Sequence, residues 1–226
     1  MPQMLRCPLI ILLLLLPAAA GAQHAVRVGV QAGAVVESSE RVTITSSAET
    51  VATTTGMAGL EMIFPLSASW FMICAPQYSQ RNYSWLELGR KGNSSYGFSY
   101  KQMDRLGVPL LIGCTPFQGD LVRPYLAAGM EFGMNLSGTH VTVIEVQHGM
   151  EQELDRMQNH ALSITQLFGA ALLEVGFDVQ AGASLSVVLA GRFSQELSPL
   201  IDDPLFTYGT PSNWTVRFGL LYELPH

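Results

Sequence analysis

The feature that most constrains this chain is a strict period of two. Near its C-terminal end, Trp214, Val216, Phe218, Leu220, Tyr222 and Leu224 alternate with Asn213, Thr215, Arg217, Gly219, Leu221 and Glu223. Such alternation places apolar side chains on one face of an extended strand and the rest on the other, and it is incompatible with a helix. Seven further segments repeat it. They are Val26 to Val36, Gly56 to Phe64, Trp70 to Tyr78, Leu106 to Cys114, Leu126 to Leu136, Leu167 to Phe177 and Leu185 to Phe193. Eight strands of about 10 residues, with no helical period between them, predict an all-β, eight-stranded antiparallel up-and-down barrel.

Alternation does not say which face is inside, because a soluble lipocalin-like barrel buries its apolar face and a membrane barrel turns it to lipid. Three features favour lipid. The polar faces are made of Gly, Ala and Ser with one or two charges per strand, which suits a narrow barrel interior better than a water-facing surface. Those faces carry Arg27, Arg81, Arg105, Arg192 and Arg217 against Glu61, Glu131, Glu174, Glu196 and Glu223, five of each sign, as an interior ion-pair network requires. The connections alternate in length: Pro65 to Ser67, Thr115 to Leu121 and Asp178 to Gly182 are short, whereas Glu37 to Thr54, Asn82 to Ser95, Gly138 to His160 and Ser198 to Pro211 are long. Short turns on the periplasmic side and long loops outside are the pattern of an outer-membrane barrel. Phe64, Trp70, Phe177 and Tyr222 then fall near the periplasmic strand ends, and Tyr78, Phe193 and Trp214 near the outer ends, as two aromatic girdles. The soluble barrel remains the structural alternative.

Ahead of the strands, Arg6, the apolar run Leu9 to Leu16, the breaker Pro17 and the small residues Ala20-Gly21-Ala22 read as an export signal, with cleavage expected after Ala22. The barrel domain is then residues 23–226, of 226 − 22 = 204 residues. The apolar run is far shorter than the roughly 20 residues a helical span needs. With 12 Lys and Arg against 18 Asp and Glu the chain has no basic footprint, so nucleic acid is excluded as a partner. Cys74 and Cys114 lie on separate strands, a placement that favours two unpaired thiols over a bridge.

Several short segments resemble the PorT-like small outer-membrane β-barrels of Gram-negative bacteria. Tyr78-Ser79-Gln80-Arg81 resembles the family's Tyr-Ser-Gln-Lys, and Leu106-Gly107-Val108-Pro109-Leu110-Leu111 its Leu-Glu-Ile-Pro-Leu-Leu strand. Arg123-Pro124-Tyr125-Leu126-Ala127-Ala128-Gly129 is similar to Lys-Pro-Tyr-x-x-x-Gly, and Arg192-Phe193-Ser194-Gln195-Glu196-Leu197 to Arg-Tyr-Ser-x-Gly-Leu, with Glu196 in place of the usual Gly. The end of the chain looks like a barrel insertion signal, with Gly219, Tyr222 and Leu224 at its marked positions, though Leu224 replaces a terminal Phe and Pro225-His226 follow it. The resemblance implies insertion by the barrel-assembly machinery, residence in outer-membrane lipid, contact with other envelope proteins through the outer loops, and service to an envelope secretion machine in one branch of the family.

Catalytic, cofactor-binding and metal-ligating sets are not expected. His24, His140, His148, His160 and His226 all fall outside the membrane strands. His148, Glu151, Glu153, Asp155 and His160 are close in sequence and, with Ser163, are the one group from which a cation site or a lipid-hydrolysing site is conceivable. Their spacing matches no zinc motif, and a solvated acidic loop with a short helix through Glu151 to Met157 is the competing reading. Gly29, Gly33, Gly59, Gly129, Gly133 and Gly176 stand at strand spacing and make room inside the barrel rather than forming a phosphate loop. The sequence therefore points to a non-enzymatic outer-membrane barrel that works as a structural or partner-binding element. The alternatives are a small-solute or lipophilic-ligand channel and an outer-loop lipid-modifying enzyme.

Overall fold

The computed structural model describes residues 25–42, 48–87, 95–117, 119, 121–148, 151–160, 167–197 and 212–225. The export signal, Ser163 and the connection 198–211 lie outside them. Ten strand segments are present: β1 (Arg27–Val42), β2 (Ala48–Pro65), β3 (Trp70–Cys74), β4 (Gln77–Glu87), β5 (Ser95–Cys114), β6 (Val122–His148), β7 (Glu151–His160), β8 (Leu167–Gln180), β9 (Leu185–Glu196) and β10 (Ser212–Glu223). All pairings are antiparallel.

The segments form an eight-stranded closed barrel. β3 and β4 are two halves of one wall strand, because both keep the same register against β2 (Met62↔Cys74, Gly59↔Gln77) and against β5 (Cys74↔Leu110, Gln77↔Gly107). Proline interrupts the ladder between them. Ala75 donates to the Pro109 carbonyl at 3.0 Å, but Pro109 has no N–H to return and Pro76 has none either. Closure comes from β1, which pairs with β2 on one side and with β10 on the other from Arg27↔Glu223 to Glu37↔Asn213. Closing the sheet removes its edges, which lipid does not tolerate.

Two sequence expectations change in detail. The long connections are built largely of strand, since β1 runs up to Val42, β2 starts at Ala48, β4 reaches Glu87 and β5 starts at Ser95. The segment expected to hold a short helix through Glu151 to Met157 is instead β7, which pairs with the upper part of β6 from Thr142↔Met157 to His148↔Glu151. The β-branched run Val141-Thr142-Val143-Ile144 disfavours helix and supplies a template strand, so pairing overrides the helix-forming composition of β7.

Exposure follows the pleat on every wall strand: side chains of one parity are buried in the barrel and those of the other lie on its outside. Along β10, Asn213, Thr215, Arg217, Gly219 and Leu221 are buried, and Trp214, Val216, Phe218, Leu220 and Tyr222 are exposed. Val30, Leu60, Ile112, Leu126, Phe132, Leu173, Val175 and Leu189 extend this apolar exterior around the wall. Cys74 keeps the outward parity expected for it, opposite Met62 and Leu110, yet is buried. It is unbonded, as is Cys114. Register puts Cys114 opposite Trp70 and Cys74 opposite Leu110, four positions along the strand, about 13 Å and well beyond disulfide reach.

Candidate functional site: the filled lumen

The inward faces meet in a lumen with a layered filling. At the end carrying the short turns, Ile63, Phe71, Ile73, Leu111, Val188 and Leu221 form a cluster of buried apolar side chains. Phe71 packs edge-on against Tyr125 with ring centroids 5.6 Å apart. Arg27 pairs with Asp178 beside this cluster.

Above the cluster lies a belt of charge. Arg217 Nη1 donates to Glu61 Oε2 at 2.7 Å and Arg217 Nε to Glu174 Oε2 at 3.0 Å, all three side chains being fully buried. Arg192 Nε donates to the same Glu174 oxygen at 2.6 Å. Tyr125 Oη donates to Glu174 Oε1 at 2.8 Å and accepts from Arg217 Nη2 at 3.0 Å. Gln31 and Gln77 close the belt into a ring. Arg217 Nη1 reaches Gln31 Oε1 at 3.3 Å, Gln31 Nε2 reaches Gln77 Oε1 at 3.5 Å, and Arg192 Nη1 reaches that same Gln77 oxygen at 3.3 Å. Seven strands therefore tie together across the lumen: β1, β4, β8, β9 and β10 through the ring, with β2 joined by Glu61 and β6 by Tyr125. Every charge in the belt has an opposite charge at hydrogen-bond distance except Glu131, whose partner is the Gln77 amide at 3.0 Å.

Toward the long-loop end, Arg105 pairs with Glu196, donates from Nε to Asn135 Oδ1 at 2.7 Å and lies 3.8 Å above the centre of the Phe168 ring. Arg81 pairs with Glu37 at 3.3 Å, and the Asn82 backbone N–H donates to the other Glu37 oxygen at 2.8 Å.

Of the residues expected in the network, Arg27, Glu61, Arg81, Arg105, Glu174, Arg192, Glu196 and Arg217 stand in ion pairs. Glu131 is inward but amide-bound. Glu223 lies outside the network: it is half-buried at the turn end of β10 and has no ion-pair partner among the described residues. The sequence reading missed Glu37, Asp178, Gln31, Gln77, Tyr125 and the whole apolar cluster. Parity alone marks Glu37, Gln31 and Gln77 as inward, in step with Arg27 and Arg81.

Small inward residues admit this crowd. A Cβ on Gly176 would lie 2.6 Å from the Tyr125 ring, and one on Gly133 would lie 2.6 Å from Phe168. On the outside, Trp70, Tyr78, Phe177, Trp214 and Tyr222 are exposed and Phe64 and Phe193 half-exposed, the Phe193 and Trp214 rings meeting at a tilt of 54° with centroids 5.1 Å apart. Of the insertion-signal positions, Gly219 faces the lumen beside Glu61, whereas Tyr222 and Leu224 face outward.

The outer-loop group does not converge. Register sets His148 opposite Glu151 at the tip of the β6–β7 hairpin and His160 opposite His140 at its base, nine residues or about 30 Å from Glu151 along the strand. Their side chains lie outside the described part of the structure.

A closed wall, an apolar exterior and a charged, self-paired interior define a membrane-spanning β-barrel of the outer-membrane type. It belongs among the small eight-stranded forms of that class. No family model matches the chain and no curated protein matches its sequence. Among solved structures it is similar to the Neisserial surface protein A, with 10% identity and TM-score 0.44 over 88% of this chain and 97% of that one. It is also similar to the outer membrane protein OprG of Pseudomonas aeruginosa (12%, TM-score 0.43, 89% and 98% covered) and to the outer membrane protease OmpT of Escherichia coli (10%, TM-score 0.45, 88% and 97% covered). Likenesses of this degree concern outline, and no activity is carried over from them.

Proposed function

We propose that this protein is a closed, non-conducting outer-membrane barrel that anchors its raised strand hairpins at the outer surface, where they bind other envelope proteins. The observation that supports this reading most is the filling of the lumen: Ile73, Val188 and Leu221 at one level and Glu61, Glu174 and Arg217 at the next are each 0% exposed. Two consecutive fully buried layers, one apolar and one of charges turned on each other, support a lumen with no path for a solute. Among the described residues, the hairpins β1–β2, β4–β5 and β6–β7 are the elements placed to meet a partner.

The resemblance to PorT-like barrels, one branch of which serves an envelope secretion machine, makes a component of such a machine the first partner to test, although the motifs mark the fold and do not select the branch. Gly219 and Tyr222 on the last wall strand, with Leu224 just past its end, serve as the signal read by the barrel-assembly machinery. The test of the anchoring role is conductance. Purified barrel reconstituted in a planar bilayer gives no unit steps above the lipid background, whereas a steady ohmic step in every insertion would establish the channel alternative. Cross-linking from positions 145 and 153 in whole cells should then capture an envelope protein; no capture from either position, with the barrel present in the outer membrane, would remove the hairpin as the binding element.

A further inference from the structure

The outward face carries one cluster of polar side chains where apolar ones are the rule. Tyr78 on β4 donates from its hydroxyl to Asp104 Oδ1 at 2.7 Å, Gln80 on the same strand donates from Nε2 to that oxygen at 3.3 Å, and Ser137 on β6 donates from Oγ to Asp104 Oδ2 at 2.7 Å. A bulge produces the last contact. The pairing of β5 with β6 passes from Arg105↔Asn135 to Asp104↔Ser137, leaving Leu136 as an extra residue. Leu136 and Ser137 consequently both face outward, both exposed. Without that extra residue the pleat would turn Ser137 to the lumen. The cluster stands on the rim of the apolar exterior, directly above exposed Leu106, Met134 and Leu136, at the end of the wall that carries the long connections.

Its chemistry is one-sided. The Tyr78 and Ser137 hydroxyl protons are both spent on Asp104, as is one amide proton of Gln80. The Gln80 amide also reaches Tyr78 Oη at 3.5 Å, so what the cluster leaves to a ligand is the negative charge of Asp104, with about one of its lone-pair positions open, and the acceptor side of the Ser137 oxygen. No cation pairs with Asp104 among the described residues. A site of acceptors and one negative charge repels a bare phosphate and suits a donor that is positive.

We propose that Asp104, with Tyr78, Gln80 and Ser137, binds the primary ammonium group of a lipid headgroup in the leaflet at the long-loop end. The occupant is a lipid because the cluster is continuous with the lipid-facing belt, and an ammonium with N–H bonds because the open positions on Asp104 and Ser137 are acceptors and the cluster carries a negative charge with no cation beside it among the described residues. This rests on the barrel being embedded with that belt in lipid.

The test uses nanodiscs holding equal amounts of phosphatidylethanolamine and phosphatidylcholine, which share a phosphate and a positive charge, only the first having N–H donors. The lipids retained by the released barrel are counted by native mass spectrometry. The wild-type barrel retains ethanolamine lipid over choline lipid by about twofold to fourfold, the scale of an exposed charge-assisted contact, and Asp104→Asn brings the ratio to about one. Tyr78→Phe, which leaves the carboxylate and frees one of its lone pairs, keeps the preference. Equal retention by the wild type, or a preference unchanged in Asp104→Asn, overturns the site while leaving the embedded barrel standing. A barrel that does not enter nanodiscs at all overturns both.

Discussion

Two adjoining layers of one lumen are filled by opposite means. The turn-side layer, with Ile63, Phe71, Ile73, Leu111, Val188 and Leu221, needs nothing from any particular neighbour except contact. The belt above it, with Arg217, Glu174, Glu61 and Arg192, works only as a complete set. Apolar packing degrades gradually, because a missing methylene costs its own contacts and a cavity. A buried charge set fails abruptly, since removing one member leaves the others desolvated and unpaired. The first layer excludes water, and the second sets which strands face each other across the barrel.

That contrast is tested hardest at Arg217. Arg217→Leu strands Glu61 and leaves Glu174 to Arg192 and Tyr125, and urea unfolding in lipid vesicles should show a loss of about 3–5 kcal/mol. A loss below about 1 kcal/mol would mean the belt is not a coupled set. In the apolar layer, Leu111→Ala removes a side chain packed opposite Ile73 and should cost about 2–4 kcal/mol, with no change in its dependence on salt. The smallest effect belongs to the one carboxylate that no Arg requires. Glu131→Gln keeps the contact with the Gln77 amide and leaves every ion pair intact, so its change should stay within about 1 kcal/mol. If it instead matches Glu174→Gln, position in the lumen rather than pairing governs stability.

How much of this was legible from residues alone divides along the same line. Charges were easy to find, because Arg217 or Glu174 in an otherwise apolar strand admits only one face, and parity did the rest. Their partners were not. Arg217 meets Glu174 43 positions away and Glu61 156 positions away, a matching set by strand stagger around a closed wall rather than by any local pattern. The apolar layer was hidden for another reason. Phe71 and Ile73 alternate with Trp70 and Met72, and Leu111 lies between Leu110 and Ile112, so both faces are apolar and period two carries no contrast there. The expected helix at Glu151 to Met157 came from composition, which a paired neighbouring strand outweighs. The bulge at Leu136 changes which residues share a face without leaving a mark in the alternation.

The claim on which everything else depends is that apolar side chains face lipid and the charged ones face each other. In a chain with Cys74 and Cys114 replaced by alanine, positions 214 to 222 are changed one at a time to cysteine, labelled with a fluorophore and reconstituted in vesicles whose acyl chains carry bromine. Quenching should alternate along the strand, strong at positions 214, 216, 218, 220 and 222 and absent at 215, 219 and 221. Quenching confined to the odd positions, or none at any position, would contradict it.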